Sequence, residues 1–189
     1  VRFNDANTYT CVFDSMSHVL LDDGTQAISI TYWQQGEKFE KIIEDRSGMA
    51  SYENTLLAAN QLARGDCFKI ELTGDKSKIK NLAIEFVQAK RLESATGFNG
   101  GRLLFYGQVQ AVSNDAVVIR HFVDSPDTNY LGPTVLSFRG AGRVKTYMYT
   151  GDNREIEYLP NCLADVRVGD WVLYQARYMN ARALVIYRD

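Results

Sequence analysis

Two stretches of this chain are written to one plan, and that duplication limits what it can fold into. The first runs Gly65-Asp66-Cys67-Phe68-Lys69-Ile70-Glu71-Leu72, turns through Gly74-Asp75-Lys76-Ser77-Lys78 and returns as Ile79-Lys80-Asn81-Leu82-Ala83-Ile84-Glu85. The second runs Gly169-Asp170-Trp171-Val172-Leu173-Tyr174-Gln175-Ala176, turns near Met179-Asn180 and returns as Ala181-Arg182-Ala183-Leu184-Val185-Ile186-Tyr187. A Gly-Asp turn, an ascending strand, a short hairpin and a final apolar strand form the closing hairpin of a small β domain. The offset from Gly65 to Gly169 nearly equals that from Leu82 to Leu184, and a small change in hairpin length absorbs the difference. The expectation is two related β modules in tandem.

The residues ahead of the first closing hairpin fit a β-meander. Thr8 to Phe13, Ser17 to Leu21, Gln26 to Trp33 and Lys38 to Ile43 are strand-like runs, separated by Asp22-Asp23-Gly24 and Gln34-Gln35-Gly36. Asp-Gly between such runs marks a hairpin, because glycine accepts the positive φ that these turns need. Ser51 to Leu62 breaks the alternation: Leu56, Leu57, Ala58, Ala59 and Leu62 favour a short helix before the closing hairpin. Strands with one helix ahead of the last pair predict a mainly β chain of two small OB-like barrels, with the helix in the first. The predicted modules are 1–90 and 102–189, joined by a Gly-rich linker at 91–101. In the second module, Arg102 to Val112, Ala116 to Val123, Thr134 to Phe138, Arg143 to Tyr149 and Arg154 to Tyr158 read as β segments, and Asp124 to Gly132 as an exposed loop.

The 189 residues are 46% hydrophobic and 12% aromatic, enough for real cores, and no run reaches the roughly 20 apolar residues that span a bilayer. Membrane insertion is therefore not expected. Lys and Arg total 21 against 23 Asp and Glu, a net charge of −2, and the basic residues are scattered. A single-strand binder is expected to concentrate them in an aromatic-lined groove, so nucleic acid is not an expected partner. The densest basic group, Arg139, Arg143 and Lys145, flanks glycines and reads as a solvated loop.

Few residues offer chemistry. Cys11, Cys67 and Cys162 form no CxxC pair, which argues against zinc, and their disulfide state stays open. His18 and His121 both lie in apolar strand patterns, and no nucleophile-elbow, zincin, P-loop or dinucleotide motif occurs. Asp22-Asp23 and Glu44-Asp45 sit at turns, where acidic residues serve the backbone. Asp124 to Asn129 lacks the spacing of an EF-hand loop. Arg64-Gly65-Asp66 spells an adhesion tripeptide, but the other copy reads Val168-Gly169-Asp170, which assigns the Gly-Asp to the turn. No enzyme activity, metal or cofactor is expected. The aromatic residues singled out for contacts are Trp33, Tyr130, Tyr147, Tyr149 and Tyr178.

Asp22-Asp23-Gly24, Gln35-Gly36-Glu37, Arg64-Gly65-Asp66 and Lys78-Ile79-Lys80-Asn81-Leu82, together with Asp165 to Val172 and Ala183 to Tyr187, span nearly the whole chain. In these runs it resembles repeats near the C-termini of large surface proteins of Gram-positive anaerobes, often those with S-layer homology modules. The resemblance implies an extracytoplasmic, non-catalytic β module that spaces, assembles or presents other parts, and it carries over no active-site residue. The anchoring motifs of those proteins do not occur in these residues. The chain opens with Val1 and reads as a segment of a longer protein. The expected function is that of a structural or assembly protein at a cell surface or in a virion, with self-association or other surface proteins as partners. The alternative is a glycan- or protein-binding module of a larger surface protein.

Overall fold

Strand β1, Thr8–Leu20, is long enough to serve two neighbours, and that sharing curls the first sheet. In the computed structural model, which describes residues 3, 5–90, 104–121, 133–137, 145–150, 155–159, 165–177 and 180–188, its first half pairs with β4, Cys67–Leu72, and its second half with β2, Gln26–Gln34. The runs Thr8 to Phe13 and Ser17 to Leu21 are two halves of this one strand. They meet at a bulge between Phe13 and Ser15, where Asp14 is the extra residue. A bulge bends its strand and strengthens the local twist. This bend lets one strand belong to both sides of a barrel.

The chain divides into two compact units, Val1–Gln88 and Ala89–Asp189. In the first, β3 (Glu37–Ile42) and β5 (Ile79–Phe86) complete a sheet of order β3-β2-β1-β4-β5. A parallel bridge from Ile43 to Ile79 brings its two outer strands together. Helix α1, Ala50–Gln61, lies between β3 and β4 in sequence and packs on β5. Tyr52, Thr55, Leu56 and Ala59 recur at helical spacing and turn inward, while Leu57 is left exposed. Inside, Phe68 meets Phe13 and Tyr32 edge-on at ring separations of 6.1 and 5.9 Å, within a core that includes Cys11, Ile30, Ile70 and Ile79. Five strands in this order, with the helix before the closing hairpin, form an OB-like barrel.

The second unit repeats the order of pairings. β6 (Leu104–Val112) is shared between β11 (Trp171–Arg177) and β7 (Ala116–His121), with a bulge between Val109 and Ala111. β8 (Pro133–Ser137) pairs with β7, and Ser137 meets Asn180 in parallel at the start of β12 (Asn180–Arg188). The residues between β8 and β11 include a hairpin, β9 (Lys145–Thr150) and β10 (Ile156–Leu159), absent from the first unit among the described residues. β9 runs parallel to β12 and widens the sheet to order β10-β9-β12-β11-β6-β7-β8. The closing hairpins also match: a bulge falls between Glu71 and Leu72 in one and between Gln175 and Ala176 in the other. The predicted linker 91–101 and the loop from Asp124 to Gly132 lie outside the described residues.

One interaction recurs in both units. Gly65 and Gly169 have φ of 91° and 94°, a left-handed conformation that glycine adopts without penalty. That turn carries the next side chain inward. Asp66 is fully buried and Asp170 nearly so. Asp66 accepts the amides of Ala63 (2.9 Å) and Gln88 (3.0 Å); Asp170 accepts the amide of Arg167 (2.8 Å) and is gripped by Arg188 from Nε (3.0 Å) and Nη2 (2.9 Å). Around each carboxylate the backbone bonds are identical in pattern. Phe13 donates to Asp66 and accepts from Gly65, and Val109 does the same with Asp170 and Gly169, all at 2.9 Å. Burial outweighs the two amides and raises the Asp66 carboxyl above the ordinary range. The sign follows: protonation of Asp66 favours the folded barrel, fully below the ordinary aspartate range, and that benefit is lost as pH rises through the raised value.

The exposed acids of the first unit play a different part. Asp23, Asp45 and Asp75 each accept the amide and hydroxyl of the residue two places on, Thr25, Ser47 and Ser77. These are Asx turns, the backbone role expected of acidic residues at such positions. The hydroxyls of Thr73 and Ser77 and the Ser77 amide lower Asp75 to about 2.

Three outcomes are expected. Asp66→Ala strips two amides of their acceptor and should cost about 2–3 kcal/mol in urea melts followed by tryptophan fluorescence. Gly169→Ala, with open space around the added carbon but φ fixed at 94°, should cost about 1 kcal/mol. Carboxyl NMR should place the Asp75 titration near pH 2, rising in Thr73→Val. The small contribution of Asp75 to stability should be present above the ordinary aspartate range and fade as pH falls through 2.

Candidate binding face of the first barrel

Alternation along β2 sends Ile28, Ile30 and Tyr32 into the barrel and Ser29, Thr31 and Trp33 to its outer face. Trp33 stands opposite Val12 on β1 and Lys38 on β3, so it sits in the middle of a three-stranded surface. The bulge then decides the chemistry. By inserting Asp14 after Phe13, it places a carboxylate beside the indole, whose Nε1 donates to Oδ2 at 3.3 Å. Lys38 Nζ reaches the same oxygen at 3.1 Å and lies 5.6 Å from the centre of the Trp33 ring. Arg64 Nε bonds both Oδ1 and the carbonyl of Asp14 at 3.1 Å.

Asp14 is therefore a hub. Its side chain is 12% exposed, against 52% for Lys38 and 42% for Arg64, so the acid is covered while both cations face water. Arg64 directly precedes the Gly-Asp turn, which ties this constellation to the buried clasp of Asp66. Adhesion through Arg64-Gly65-Asp66 does not fit this arrangement, since the Asp66 carboxylate faces the interior. Farther along the face, Ser29 Oγ donates to Glu40 Oε1 at 2.9 Å, and Ser15 pairs with Thr31 and Ser17 with Ser29 across β1 and β2. A partly exposed aromatic ring, two cations, two carboxylates and the hydroxyls of Ser15, Ser17 and Thr31 can stack on a ring and exchange hydrogen bonds with polar groups around it.

The other sequence-selected residues fall elsewhere. Tyr149 is buried in the second unit, its ring edge-on to Tyr187 at 6.3 Å, and so packs the core. Tyr147 lies on β9 between Tyr158 of β10 and Val185 of β12. Tyr130 and Tyr178 lie outside the described residues. Trp171 stacks on Tyr106 at 5.4 Å. Sequence reasoning found Trp33 but missed Asp14, Lys38 and Arg64. The only sign of Asp14 was the broken alternation between Phe13 and Met16.

Other groups are held by packing. Cys11 and Cys67 are free thiols on β1 and β4, both buried, and burial pushes both well up, so they stay protonated. His18 is exposed on β1. Among the described residues no three His, Cys, Asp or Glu side chains gather as metal ligands would. A concavity of about 450 Å³ between α1 and β5 is lined by residues such as Ser51, Asn54, Gln61, Asn81 and Ile84, and among the described residues no ionisable side chain borders it. These residues offer hydrogen bonding and apolar contact.

No protein-family model matches the chain, and no curated protein matches it. Among solved structures it is similar to the tetrameric p202 HIN2, at 9% identity over 97% of this chain and 93% of that one, with a TM-score of 0.27. The OB-like assignment is carried by the strand order and bridges described above. The exclusion of nucleic acid as a partner is corrected. It does not stand beside the OB-like strand order found here, a class whose β2–β3 face takes oligonucleotides as well as oligosaccharides. Net charge misled because it sums the whole chain, whereas a ligand meets only a local face.

Proposed function

We propose that this chain is a non-catalytic structural and assembly module, a tandem repeat of one OB-like barrel acting at a cell surface or in a virion. The observation that carries the reading is the shared clasp: both units bury an aspartate after a left-handed glycine and bond it in the same way. Buried acids elsewhere serve the frame too. Glu71 accepts Asn81 at 2.7 Å, and Asn81 in turn accepts Arg46 at 2.9 Å. Ionisable groups spent on architecture suit a part that holds and presents others. The resemblance to surface-protein repeats supports the extracytoplasmic setting. The mechanism is geometric: each barrel buries one sheet face and offers the other, with its loops, to neighbouring subunits.

The second reading, a glycan- or protein-binding module, is favoured by a separate observation, the Trp33 constellation on the outer face of β1–β3. Light scattering coupled to size exclusion, over a wide concentration series, separates the two. The assembly reading expects mass to rise in steps with concentration, and ordered particles in negative stain. A monomer at every concentration would remove it and leave binding as the function.

A further inference from the structure

We infer that the outer face of β1–β3 in the first barrel is a carbohydrate subsite, on which a neutral pyranose ring lies against Trp33. This deepens the binding reading and does not depend on self-association. The argument begins with charge. Lys38 and Arg64 are balanced by Asp14, which they both contact, and by Glu40, two residues after Lys38 on β3. A polyphosphate strand gains affinity by releasing counterions to uncompensated cations. A face whose cations are already paired offers it little, while a neutral ligand loses nothing by the balance.

The shape of the surface points the same way. Trp33 stands at one end of a row of small hydroxyl side chains, with Ser15 opposite Thr31 and then Ser17 on β1; Ser29, opposite Ser17, is buried beneath Glu40, to which its hydroxyl donates. A flat aromatic surface matches the C–H face of a sugar ring. The rim matches its hydroxyls: the exposed Lys38 ammonium donates, and the exposed Glu40 carboxylate accepts. Lys38 now lies over the indole at 5.6 Å and is exposed enough to swing aside, exchanging a cation contact for a sugar contact. The Asp14 carboxylate, still held by Arg64, keeps the indole edge in place as that happens. The β2–β3 face is also where OB-like barrels take oligosaccharides.

The test is an indole-region ¹H–¹⁵N titration of the full chain, with the Trp33 signal assigned through Trp33→Phe. Neutral hexasaccharides of β-1,4-glucose, β-1,4-N-acetylglucosamine and α-mannose are compared with a thymidine dodecamer. The expected result is a saturable shift of the Trp33 signal with at least one sugar, none with the dodecamer, and an unmoved Trp171 signal. Lys38→Ala, a surface change that spares folding, should weaken that sugar by about threefold or more. The inference is overturned if no sugar moves the Trp33 signal, if the dodecamer alone moves it, or if Lys38→Ala leaves the affinity unchanged. A negative sugar titration leaves the assembly reading intact, and a strict monomer in light scattering leaves this one intact.

Discussion

A carboxylate buried one residue after a left-handed glycine is the constraint on which the rest of this structure depends. Each Gly-Asp turn stands where the first strand of the closing hairpin meets the first strand of its unit, and each aspartate ties that turn to residues just beyond the end of the hairpin ladder. Asp66 bonds the amides of Ala63 and Gln88, on either side of the closing hairpin. Asp170 bonds the Arg167 amide and the side chain of Arg188 at the far end of β12. A buried charge without partners would be strongly destabilising. The two copies solve that problem differently, one with dipoles alone and one with a cation, and the geometry of the turn is the same.

The bulge in the first strand follows from the clasp. Phe13 and Val109 exchange hydrogen bonds with the Gly-Asp pair, and the ladder to the second strand slips immediately afterwards in both units. In the first barrel the slipped residue is Asp14, which organises Trp33, Lys38 and Arg64 on the outer face. In the second the same position is Gln110, exposed and uncharged. One architectural device thus yields, among the described residues, a charged aromatic site in the first copy and an uncharged Gln110 at the matching position of the second. That asymmetry is how two barrels of one plan come to offer different surfaces.

Much of this was legible in the sequence, and the remainder was hidden for identifiable reasons. Turn glycines, the Asp-Gly hairpin and the run of helix formers from Ser51 to Leu62 are local signals, and the strands and helix stand close to where these put them. Closure is non-local. Nothing in Ile43 or Ile79 announces a parallel bridge between them, nor does β9 announce that it will pair with β12. Trp33 was found because aromatic residues are conspicuous. Its partners were missed because Asp14 and Arg64 are fifty positions apart and meet only once the barrel forms. Tyr149 shows the converse, since composition marks tyrosines without saying which face of a strand they take. The charge argument failed on scale, because a sum over 189 residues does not describe a surface built from a few of them.

The central claim is that the same buried aspartate holds both barrels, and hydrogen exchange at two amides tests it most directly. Ala63 and Arg167 lie outside any strand and are solvent-exposed residues, so water alone would exchange their amide protons quickly. In this account each proton is held by a carboxylate that is released only when its barrel opens. The predicted result is protection of both amides comparable to the strands of their own barrels, lost at Ala63 in Asp66→Ala and at Arg167 in Asp170→Ala. Exchange at the unprotected rate at either amide in the unmodified chain would contradict it.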